Sequence, residues 1–150
     1  MKKTWIFNAD SARARLFEMT NPGNLHEVED TVHPESRLTE GQGGDDKPGR
    51  VFSPGGEHRA AAHEKNEQHQ KETELFASDL GKLLARHLHP EDRLFLAAPP
   101  AMLGKLRQSL PKTVEECVFT TYPQSLVQET IEVILTKLKD DLSRMHPSED

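Results

Sequence analysis

The sequence predicts a single α/β domain, a mixed five-stranded sheet carrying three helices in the order βββ-α-β-α-β-α. Three observations lead there. A chain of 150 residues fits one ordinary domain and can bury roughly 70% of the surface it exposes when unfolded. Short runs rich in β-branched and aromatic residues come first, and further such runs then alternate with segments of helical periodicity. No internal repeat or second apolar core interrupts this order, so one domain is expected over 1–150. Strands separated by helices favour parallel neighbours, whereas strands joined by short turns form an antiparallel meander, so the sheet should be mixed.

Thr4 to Ala9 is the first strand, and Ala12 to Met19 the second, with the turn formers Asn8, Asp10 and Ser11 near the junction. Alternation in the second strand puts Ala12, Ala14 and Leu16 on one face and Arg13, Arg15 and Phe17 on the other, so one face is expected to be buried while both arginines reach solvent. Asn21-Pro22-Gly23-Asn24 is a turn, and Leu25 to His33 a weaker third strand with Val28 and Val32 on one face. Beyond Glu57 the chain is dense in helix formers, but only from Phe76 does an apolar stripe appear: Phe76, Leu80, Leu83, Leu84 and Leu88. This predicts a helix docked by its C-terminal half. Arg93 to Ala98 reads as a strand buried on both faces. Pro99-Pro100 opens a second helix with Leu103, Leu106 and Leu110 on one side, and Pro111 stops it. Val114 to Thr121 is the last strand. Ser125 and Gln128 have capping-box spacing before a final helix with the stripe Val127, Ile131, Ile134, Leu138 and Leu142, and a frayed tail is expected at about 145–150.

Between the third strand and the first helix the pattern disappears. Gly41, Gly43, Gly44, Pro48, Gly49, Pro54, Gly55 and Gly56 crowd a loop at about 34–56, where regular structure would be costly. Loops of that length inside compact domains are uncommon unless they are functional or disordered. Arg37, Lys47, Arg50 and Arg59 fall in or beside it, where backbone N–H groups of Gly-rich turns also bind anions, although Glu40, Asp45, Asp46 and Glu57 balance the charge.

Composition narrows the function classes. With 25 acidic and 19 basic residues the net charge is -6, which argues against coating nucleic acid by bulk electrostatics; any such site must be local. The single cysteine, Cys117, rules out an internal disulfide and lies in an apolar run as a buried thiol would. After Met1-Lys2-Lys3 only Trp5-Ile6-Phe7 is apolar before Asn8, too short for a signal h-region, and no window approaches a membrane span. A cytoplasmic chain without a membrane partner is expected. His58, His63 and His69 raise a metal hypothesis, but separations of five and six residues leave only His63 with Glu67 on one helical face. Asp10-Ser11 at a strand end could serve as nucleophile or metal carboxylate, or simply as turn residues. Motifs for zinc, calcium, phosphate or dinucleotide binding are missing, so no cofactor is expected.

Four segments carry a family resemblance: Asn8-Ala9-Asp10-Ser11-Ala12-Arg13-Ala14-Arg15-Leu16-Phe17, Lys47-Pro48-Gly49-Arg50-Val51-Phe52, Arg93-Leu94-Phe95-Leu96-Ala97-Ala98-Pro99-Pro100, and Leu103-Gly104-Lys105-Leu106-Arg107. In order and across nearly the whole chain they resemble the bacterial host-attachment protein family. That family is similar in fold to the middle domain of archaeal and eukaryotic peptide-chain release factors, within a broader RNase-H-like group. The resemblance implies a meander, a long loop and a long helix, and a role in attachment to host cells. In release factors the loop carries Gly-Gly-Gln; here the nearest match is Gly41-Gln42-Gly43-Gly44, preceded by Glu40, so the order differs. RNase-H-like nucleases hold metal with carboxylates on the first and fourth strands; Asp10 could stand at the first, but Ala97-Ala98-Pro99 ends the fourth without one.

The reading that follows is a non-enzymatic binding module engaging a ribosome, tRNA or other RNA through Arg37, Gln42, Lys47, Arg50, His58 and Arg59. The alternatives are a factor that supports host attachment through a protein or surface partner, and a hydrolase that uses Gln42.

Overall fold

Two turns shape the first half of the sheet. Between β1 (Thr4–Ala9) and β2 (Arg13–Asn21), the Asp10 carboxylate accepts the N–H groups of Ala12 and Arg13, each at 2.8 Å. Asp10 is therefore a turn residue. Between β2 and β3 (Asn24–Val32), Gly23 takes φ +87°, a conformation that L side chains rarely adopt. The computed structural model describes residues 2–21, 23–33 and 55–145, with the backbone alone at 55–66, 69 and 145. Beyond the meander come α1 (Gly55–His87), β4 (Arg93–Ala97), α2 (Pro100–Ser109), the single turn α3 (Lys112–Glu115), β5 (Val118–Tyr122) and α4 (Ile131–Met145).

The sheet is mixed and five-stranded, in the order β3-β2-β1-β4-β5, as expected. β1, β2 and β3 pair antiparallel, while β1, β4 and β5 run parallel. Trp5, Phe7, Leu16, Leu94 and Leu96 point to one face, where Phe76, Leu80 and Leu84 of α1 and Met102 and Leu106 of α2 close over them. Ile6, Phe17, Phe95 and Ala97 form the other face, against Ile134 and Leu138 of α4. Burial on both faces explains why β1 and β4 read as nearly continuous apolar runs.

That double burial corrects the expectation for β2. Arg15 is largely withdrawn from solvent: its side chain is 15% exposed and grips Glu27 through Nε at 2.9 Å and Nη2 at 3.1 Å. Its Nη1 donates to the carbonyl of Val127 at 2.9 Å, tying the segment before α4 to the sheet. Arg13 remains more open and forks onto Asp30. β3 also departs from simple alternation. Leu16 faces Glu29 but Phe17 faces Glu27, so Val28 is the extra residue of a bulge. Val28 packs on the α1 side, whereas Val32 stays 37% exposed, and the two do not share one buried stripe.

Helix ends differ from expectation in two places. Pro111 does stop α2, but it also starts α3, so the last strand begins at Val118 rather than Val114. Val114 and Cys117 are buried in the link. The final helix starts at Ile131, where Thr130 Oγ1 accepts the Val133 N–H at 3.2 Å, so Thr130 is the cap and the Ser125/Gln128 pair is not. The tail beyond 145 lies outside the described residues.

α1 has 33 residues and so extends about 50 Å. Its core residues lie between Thr73 and Leu84, whereas Glu67, Gln68, Gln70 and Lys71 are exposed. Where α1 meets the end of α2, a Cβ at Gly81 would lie 2.8 Å from the Ser109 carbonyl oxygen, a backbone atom that cannot swing aside. A Cβ at Gly104, in α2, would meet nothing within 4 Å. Alanine gains roughly 1 kcal/mol over glycine inside a helix, so Gly104→Ala should stabilise by nearly that much. Gly81→Ala should instead lose about 1–3 kcal/mol to overpacking. Urea melts of the two variants should move in opposite directions.

Candidate functional site

α1 runs across the sheet edge formed by β3, and two clamps fix it there. At one end the His33 ring stacks on Phe76 with centroids 4.6 Å apart; at the other, His87 Nε2 meets Glu29 Oε2 at 2.8 Å. Between these clamps the helix and the strand part to leave an open cleft of about 350 Å³. Its walls include Phe76, Leu80, Leu83 and Val32, and polar groups come from Thr31, His33, Asp79, Lys82 and Arg86. Residues 76, 79, 80, 83 and 86 recur at helical spacing, which brings them to one side of α1.

His33 is the least ordinary of these groups. It is 5% exposed, and its Nε2 is buried without a hydrogen-bond partner among the described residues. Leaving such an atom unpaired costs about 1–3 kcal/mol. The residue is held in place by its backbone N–H, which donates to Ala12 at 2.8 Å. Lys82 and Arg86 stand four residues apart on α1, both exposed, and neither forms an ion pair with a described residue. Asp79 is the one carboxylate among the lining residues, so the cations outnumber it.

The acids of β3 are each engaged by a partner of their own. Glu27 pairs with Arg15 and Glu29 with His87, and the hydrogen bond from Arg13 holds the Asp30 carboxyl below the usual carboxylate range. The result is a partly apolar cleft with a cationic side and an unsatisfied buried nitrogen, a surface suited to a ligand with an apolar body and an anionic group.

Asn8, on the opposite side of the sheet, is likewise buried, with both amide atoms unpartnered among the described residues. It is 0% exposed, so nothing reaches it unless the chain opens. The cleft beside β3 is open already.

Of the residues singled out from sequence, Arg37, Gln42, Lys47 and Arg50 lie outside the described residues, and for His58 and Arg59 only their place on the backbone of α1 is described. The side chains of His63 and His69 are outside as well. Among the described residues no group of three or more His, Cys, Asp or Glu side chains is placed to hold a metal ion. Cys117 is buried, which pushes its thiol pKa up, and its Sγ lies 3.3 Å from the carbonyls of His89 and Thr113. Among the described residues no helix is long and apolar enough to cross a membrane.

Sequence reasoning missed His33, Thr31, Lys82 and Arg86. The last two carried a usable signal, an i, i+4 cation pair beside an apolar stripe. His33 carried none, since its burial follows from the approach of α1.

A family model described as protein required for attachment to host cells matches residues 5–138. Among solved structures the chain is similar to the archaeal translation termination factor aRF1, with a TM-score of 0.51 and 9% identity over 98% of this chain and 41% of that one. It is also similar to the type II variant of the Aquifex aeolicus Ppx/GppA phosphatase, with a TM-score of 0.36 and 13% identity over 81% of this chain and 35% of that one. The chain thus spans less than half the length of either protein. At this identity the termination-factor likeness is one of fold. No curated protein matches the sequence.

Proposed function

This chain belongs to the family described as protein required for attachment to host cells, and on that premise we propose that it is a non-enzymatic binding module that supports attachment by holding a partner in the cleft between β3 and α1. The observation that carries the reading is His33, buried with Nε2 unpartnered beside an open cleft that Lys82 and Arg86 also line. A binding role also fits the described reactive groups, which are engaged structurally. Asp10 closes a turn, Cys117 is a buried thiol, and Asp92 is a buried acceptor.

Reversing both cleft charges, Lys82→Glu with Arg86→Glu, is expected to lower attachment of the producing cells to host-cell monolayers roughly tenfold, the loss that about 1.4 kcal/mol of contact energy sets. Both side chains are exposed, so the thermal melt should hardly move. Unchanged attachment with unchanged folding would remove the cleft from this role.

A further inference from the structure

We infer that the occupant of the cleft is an extended peptide segment bearing a carboxylate side chain, added along the free edge of β3. This rests on the cleft being the binding site, and it goes further by naming the ligand class. Among the described residues β3 pairs only with β2, and an added strand would gain main-chain hydrogen bonds along its other edge. The bulge at Val28 interrupts regular pairing, which confines the added strand to the stretch from Glu29 to Val32.

The spacing of α1 suits such a strand. Lys82 and Arg86 lie one turn apart, about 6 Å along the helix axis, so one carboxylate can lie between them, and the next same-face side chain of a strand stands about 6.7 Å away. One ligand side chain can lie over the apolar lining, of which Val32 is the exposed member, while the next same-face residue reaches the cations. A carboxylate there makes charge-assisted hydrogen bonds, roughly twice as strong as neutral ones. Nucleic acid fits less well. A phosphate backbone would leave Val32 uncovered, and its affinity depends on many cations rather than two.

Fluorescence anisotropy with the full chain tests this. The probe is a labelled heptapeptide alternating valine and threonine, with one central glutamate. Its comparators are the glutamine version, a version N-methylated on alternate amides in each register, and a labelled oligouridylate. The glutamate peptide should bind, the glutamine peptide about tenfold more weakly. Arg86→Glu should erase that preference, N-methylation of the strand-facing amides should abolish binding, and oligouridylate should not bind. Equal binding of the glutamate and glutamine peptides would overturn the inference. So would binding that survives N-methylation in both registers, or no binding of the glutamate peptide. Oligouridylate binding lost in Lys82→Glu would assign the cleft to nucleic acid instead. If these binding results fail while the attachment defect of the double reversal stands, the cleft keeps its role and only the peptide assignment falls.

Discussion

Asp92→Ala is expected to cost about 3–5 kcal/mol of stability, because it leaves several buried donors unpaired at about 1–3 kcal/mol each. Asp92 is 4% exposed and accepts three hydrogen bonds: from the Lys3 N–H at 3.0 Å, the Trp5 indole N–H at 3.0 Å and the His89 N–H at 2.9 Å. It thereby joins the start of β1 to the turn before β4, where the Arg93 N–H also donates to the Lys3 carbonyl. Removing the carboxylate leaves the indole N–H of a 3% exposed tryptophan unpaired. Asp92→Asn should fall between the two, because its single acceptor oxygen cannot serve donors on both sides.

The same residue sets a pH dependence. Burial alone would raise the Asp92 pKa, but the hydrogen bonds from His89, Lys3 and Trp5 outweigh it and bring the value below the usual carboxylate range. With the folded pKa below the unfolded one, this stabilisation is fully present above the unfolded pKa, about 3.9. It is lost as pH falls through the folded value. Urea melts should therefore show a constant gap between Asp92→Ala and the unaltered chain from pH 7 to 5, narrowing in more acid solution. A gap that stays wide well below pH 3 would mean that the charge plays no part.

How much of this was legible depends on the range of the interaction. The β1–β2 turn was readable because Asp10 acts on residues two and three positions away. β4 was readable because burial on both faces removes polar residues from the run itself. The stripe on α1 was readable by its period. Arg15 was not, since the carbonyl it binds is 112 residues distant and alternation on an isolated strand cannot show that both faces are covered. Val114 could begin a strand or fill a turn of helix, and a short apolar run does not distinguish them. The cleft was the least legible feature, for it exists only where the β3 edge and α1 are brought together. Composition pointed instead to the 34–56 loop, whose glycines and prolines are a local signal.

Leu84→Ala should be the other large loss, about 2–5 kcal/mol for a buried leucine whose site cannot fully collapse. Leu84 is 0% exposed, in the core formed with β1 and β4, and it belongs to the few apolar residues by which a 33-residue helix is held. Leu75 sits on the same helix at 61% exposure, so Leu75→Ala should change stability by less than about 0.5 kcal/mol. The contrast tests whether α1 docks through its C-terminal half or is supported along its length. In the first case hydrogen exchange in Leu84→Ala should speed up from Phe76 to His87 while β4 stays comparatively protected. In the second, the leucine contributes little and its loss should be spread evenly. Because Leu80 and Leu83 line the cleft and Leu84 does not, a Leu84→Ala chain that still folds should keep the charge preference of the cleft. Its weaker binding would then track the fraction of molecules with α1 docked, separating the support of the site from its chemistry.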